Sequence, residues 1–75
     1  MLVDTLVLVT VKVGAAERVA KALEQLSEVE KVLIVTGPYD VVALADIPEK
    51  KDYRRFVNAV HDIEGITRTE TCMGI

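Results

Sequence analysis

The chain is short of almost everything that marks a metal site, a secreted scaffold or a membrane span. It has one cysteine, one histidine, one phenylalanine and no tryptophan in 75 residues. A lone thiol, Cys72, closes no internal disulfide and has no partner for a two-cysteine metal site of the copper-carrying kind, so a buried, inert thiol is expected there. The glycines, Gly14, Gly37, Gly65 and Gly74, are too scattered for a dinucleotide or nucleoside-triphosphate loop. The apolar runs, such as Thr5 to Val11 and Val32 to Val35, stop well short of the ~20 residues of a transmembrane helix. The N-terminus shows no leader pattern, so the expected setting is soluble in a reducing cytoplasm, with no membrane partner. Basic residues are also in deficit: nine Lys and Arg against twelve Asp and Glu give a net charge of −3, which argues against direct nucleic-acid binding. The clusters Lys50-Lys51 and Arg54-Arg55 alternate with Glu49 and Asp52 and read as a solvated helix face.

What is abundant is aliphatic. Hydrophobic residues make up 51% of the chain and aromatics only 4%, with Val, Ile, Leu and Ala supplying most of the apolar mass. Odd positions from Val3 to Val13 are β-branched throughout, a period of two that predicts a strand; the even face, with Leu6 and Leu8, is apolar at its centre. Ala16, Val19, Ala20, Leu23 and Leu26 then recur at helical spacing, predicting a helix that ends near Ser27. Val29 to Thr36 and Val41 to Ile47 predict two strands joined by the turn Gly37-Pro38-Tyr39-Asp40. Tyr53, Phe56, Val57, Val60 and Ile63 mark a second helix with Gly65 at its C-terminal end, and Ile66 to Ile75 predicts the last strand.

The order β-α-β-β-α-β with no linker predicts one domain over residues 1–75, α+β and ferredoxin-like: a four-stranded antiparallel sheet with two helices on one face. The other face is left bare, yet carries Leu6 and Leu8. Monomers rarely expose large apolar patches, so at least a dimer is expected, sheet face against sheet face or edge to edge.

Catalytic equipment is not apparent. His61 falls at the edge of the second helix's apolar stripe with no nucleophile placed to use it, and the carboxylates lie at element ends or on polar faces. No enzyme, cofactor or metal is expected. Two features suit a small zwitterion. The turn Gly37-Pro38-Tyr39-Asp40 offers backbone N–H groups, an aromatic wall and a carboxylate; Thr69 and Thr71 offer hydroxyls. Ordinary turn and strand preferences account for the same residues.

The run Val35 to Val41 containing that turn, together with Glu64-Gly65-Ile66-Thr67-Arg68-Thr69-Glu70-Thr71 near the end of the chain, resembles the effector-binding domain of the Lrp/AsnC family of feast/famine transcriptional regulators. The resemblance spans essentially the whole chain and implies the stand-alone form of the module, without the helix-turn-helix domain. It implies dimers formed through the sheets and joined into rings, a dimeric α/β-barrel-like assembly that binds amino acids between dimers. On matching positions, Gly37, Pro38, Tyr39 and Asp40 would form the ligand loop and Thr69 and Thr71 the neighbouring wall, with full-length Lrp/AsnC regulators as further partners. Two rival readings accompany it: a small monooxygenase-like ferredoxin-fold enzyme, which requires His61 to line a closed cavity, and a purely structural oligomerisation module.

Overall fold

The computed structural model describes residues 3–75; the first two positions of the expected 1–75 unit lie outside the described residues. Four strands and two helices follow the expected order: β1 Thr5–Val11, α1 Ala16–Glu24, β2 Val29–Ile34, β3 Val41–Ala45, α2 Tyr53–His61 and β4 Ile66–Met73, with a short 3-10 turn, Lys50–Asp52, leading into α2. The sheet is antiparallel in the order β2-β3-β1-β4, so the two β-α-β halves interleave and leave β2 and β4 at the edges.

Alternation along β1 sets the two faces. Thr5, Val7 and Val9 are buried, and opposite them in the ladders stand Val41, Ala43 and Ala45 of β3 and Thr69, Thr71 and Met73 of β4. Directly opposed residues share a face, so these line the side covered by the helices. Val19 and Leu23 of α1 and Phe56 and Val60 of α2 complete the core. Fully burying a side chain of this size stabilises the fold by about 1.5–3 kcal/mol. The alanines on β3, Ala43 and Ala45, are fully buried within this core.

Asp4 fastens the start of β1. Its carboxylate accepts from the Ile47 N–H at 3.0 Å and the Thr5 hydroxyl at 2.9 Å, and these bonds hold it below the usual aspartate range. On α2, Arg55 reaches Glu28, ahead of β2, at 2.8 Å.

Several elements are shorter than their sequence patterns. β1 stops at Val11 because the β1–β4 register shifts between Thr10 and Val11, and Val13, expected on the strand's inner face, is fully exposed. The first helix ends at Glu24 rather than near Ser27, its last turn tightening so that Gln25 and Leu26 donate three residues back. The expectation of a buried thiol also fails. Cys72 stands opposite Leu6 on the face that no helix covers, and it is exposed.

That uncovered face is apolar across its middle. Leu6 is 40% and Leu33 41% exposed, with Leu8, Val42 and Leu44 half-buried between them. At the β4 edge it turns polar, with Arg68 and Glu70 opposite Thr10 and Leu8.

Candidate functional site

The turn between β2 and β3 is held by its own backbone. Gly37 adopts φ +120°, a conformation open to glycine and strained for other residues. Past it, the Val35 N–H donates to the Asp40 carbonyl at 2.9 Å and the Asp40 N–H donates to the Val9 carbonyl at 2.8 Å. The Asp40 carboxylate accepts from the Val11 N–H at 2.9 Å. This N–H lies where the β1–β4 register slips, so Asp40 satisfies a donor beside that irregularity. Its role in the single chain is thus to pin the turn against the end of β1.

Tyr39 reaches the other way. Its hydroxyl donates to Glu70 on β4 at 2.5 Å, crossing β1 on the uncovered face, and the second Glu70 oxygen accepts from Arg68 at 2.6 Å. The hydrogen bond to Glu70 raises the Tyr39 phenol above its ordinary range. The same bond, helped by Arg68, lowers the Glu70 carboxyl. Glu70 escaped the sequence reading, although strand alternation already placed it on the face opposite Thr69 and Thr71.

Thr69 and Thr71 lie elsewhere. They stand opposite Val9 and Val7, on the helix-covered side of the edge strand, half-buried. Asp40 and Thr69 flank the same end of β1 from opposite sides, their backbones two strand spacings, about 10 Å, apart. Gly37, Pro38, Tyr39 and Asp40 therefore stay together, while the threonines form a separate group. Thr69 Oγ1 is 2.9 Å from His61 Nε2 at the end of α2, and the two line a groove with Ile66, Thr67 and Arg68. Thr67 pairs its hydroxyl with Thr10 at 2.9 Å. His61 is exposed beside this open groove and lines no closed cavity.

Among the described residues no group of three His, Cys, Asp or Glu side chains could hold a metal ion, and no helix is long and apolar enough to cross a membrane.

The chain matches a family model, the Lrp/AsnC ligand binding domain, over residues 4–75. The HTH-type transcriptional regulator FL11 of Pyrococcus furiosus is 32% identical over 65 residues, which make up 87% of this chain and 43% of that protein. The chain spans under half the length of the curated relatives it matches. Among solved structures, TTHA0845 of Thermus thermophilus superposes with a TM-score of 0.91 at 28% identity, covering 99% of this chain and 94% of that one. A Neisseria meningitidis transcriptional regulator, solved as a complex with L-Met, has the same fold at 16% identity and a TM-score of 0.83, covering 97% of this chain and 49% of its own.

Proposed function

The chain belongs to the Lrp/AsnC ligand-binding domain family, and from that premise we propose that it is an amino-acid-binding oligomerisation module acting in transcriptional regulation. The observation that carries this reading is the uncovered sheet face. Leu6, Leu8, Leu33, Val42 and Leu44 form an apolar surface that a second copy would bury, sheet against sheet.

The placement of the site residues supports a ligand bound between copies. In the single chain the turn meets β4 through Tyr39 and Glu70 on the uncovered face, while Thr69 and Thr71 stand on the helix-covered side, so the two groups face different sides of the sheet. A turn from one copy facing Thr69 and Thr71 of another would close the site, with backbone N–H groups near Gly37 for the carboxylate, Asp40 for the ammonium or for orienting the loop, and the threonine hydroxyls for the remaining polar contacts. The L-Met complex of the Neisseria meningitidis regulator is consistent with an amino acid as ligand. A ligand shared between copies stabilises whichever assembly makes the contact, to the extent that it prefers that state. If the module co-assembled with a full-length Lrp/AsnC regulator, it would change that protein's DNA binding without touching DNA.

The enzyme reading needed His61 in a closed cavity, and its exposed position lends that reading no support. The structural-module reading keeps the same apolar face without a ligand. Thermal melts against the twenty amino acids separate the two: a concentration-dependent rise for a few amino acids supports sensing. Unchanged melts from a stable oligomer favour the structural module.

A further inference from the structure

We infer that His61 is a positioning and specificity residue of the ligand wall, fixing through its Nε2 contact the direction in which the Thr69 hydroxyl presents itself. The inference rests on the proposed reading that Thr69 meets an amino-acid ligand. It adds a residue from α2 to a site otherwise built from the β2–β3 turn and β4.

The geometry is specific. His61 is the last residue of α2, and its Nε2 lies 2.9 Å from Thr69 Oγ1 across the groove that Ile66, Thr67 and Arg68 also line. The groove is about 230 Å³, below the roughly 300–1,000 Å³ of clefts that hold drug-sized molecules, so it suits one end of a small ligand. The Thr67 hydroxyl is already paired with Thr10. Thr69 is therefore the threonine of this groove whose orientation the imidazole sets.

A hydroxyl has one proton and two lone pairs, so what Thr69 offers outward depends on what His61 asks of it. With Nε2 as acceptor, the Thr69 proton points at the ring and only lone pairs face the groove, which suits an ammonium. With Nε2 protonated, the ring donates to Oγ1 and the hydroxyl proton turns outward to a carboxylate. An imidazolium has no acceptor and permits only the second arrangement. It also adds a positive charge beside Arg68. Protonation of His61 thus fixes Thr69 as a donor toward the groove, a contact that suits a ligand oxygen, including the second oxygen of a carboxylate whose first is held by backbone N–H groups near Gly37 of the facing copy.

The other ionisable groups around this end of the molecule are Arg68 on β4, Asp62 and Glu64 on the connecting turn, Arg18 of α1, which lies against Gly65, and Lys12, whose amide bonds to the Gly65 carbonyl. Of these, Arg68 is the one that lines the groove together with His61.

The test is calorimetric titration of the full chain with each of the twenty amino acids between pH 5.5 and 7.5, for wild type, His61→Ala and His61→Gln, with melting curves confirming that all three fold. Glutamine can offer its amide nitrogen near the Nε2 position but does not titrate. The expected result is wild-type affinity that strengthens as pH falls. His61→Ala should weaken binding roughly three- to tenfold, the worth of one hydrogen bond, and His61→Gln should restore most of it with no pH dependence. If wild type binds and His61→Ala binds equally well with the same pH profile, the inference is overturned while the amino-acid reading stands. If no amino acid binds wild type at any pH, the reading falls and the inference with it.

Discussion

Tyr39 and Glu70, 31 residues apart in sequence, are joined by a hydrogen bond that spans β1 on the uncovered face of the sheet. The bond ties the β2–β3 turn to the far edge strand, and the two groups shift each other's titration in opposite directions.

The first prediction concerns the pH range of that bond. Glu70 is lowered from an ordinary 4.5, so its contribution is full above that value and is lost as pH falls through the lower folded-state value. Tyr39 is raised from an ordinary 10.0, so its contribution is full below that value and is lost as pH rises through the higher one. The melting-temperature gap between wild type and Tyr39→Phe should therefore be widest at neutral pH and close toward strong acid and strong base. An equal gap at every pH would show that the phenol acts through packing alone.

Asp40 separates a fold role from a ligand role. Asp40→Ala removes the acceptor of the Val11 N–H and should cost about 1–2 kcal/mol in urea unfolding, within the usual range for an orphaned donor. Asp40→Asn keeps an oxygen for that bond and should unfold close to wild type. If Asn preserves stability and still abolishes amino-acid binding, the charge meets the ligand; if Ala unfolds like wild type, the Val11 contact is of no consequence.

Two glycines with positive φ should respond differently to alanine. At Gly65, φ +103°, an added Cβ would come within 3.0 Å of the Arg18 guanidinium and 3.2 Å of Ala15 and Val19. At Gly37 no atom lies within 4 Å of the added carbon. Gly37→Ala should cost backbone strain alone, about 1–3 kcal/mol, and Gly65→Ala more, because the α2–β4 turn must also move off α1. Equal losses in chemical denaturation would mean that α1 gives way freely.

The order of elements was legible because the period of two in Thr5 to Val11 and the helical stripes of Val19-Leu23 and Phe56-Val60 are uninterrupted. Strand and helix ends were not, because a register slip at Thr10 and a tightened turn after Glu24 are tertiary outcomes. The turn from Gly37 to Asp40 was readable from its residue types. Its partners were not: the Tyr39–Glu70 bond depends on the β2–β3 turn and the edge strand β4 meeting across β1, and the His61–Thr69 pair depends on where α2 ends over β4. Cys72 misled because burial was expected of it as an unpartnered cysteine, while its strand face is one that no helix covers.

The uncovered face supplies a further prediction. Leu8 stands at its centre, between Val42 and Glu70 in the ladders. Leu8→Arg should leave the circular dichroism spectrum intact and reduce the mass in light scattering to that of one chain, because a cation cannot be buried against apolar side chains without a partner. An unchanged mass would place the assembly contact elsewhere.

The central claim, that amino-acid binding and assembly are coupled, is tested most directly by sedimentation velocity of the purified chain with and without each of the twenty amino acids. The account predicts a saturable shift between assembly sizes for one or a few amino acids, lost in Asp40→Asn. Sedimentation profiles unmoved by every amino acid at millimolar concentration would contradict it.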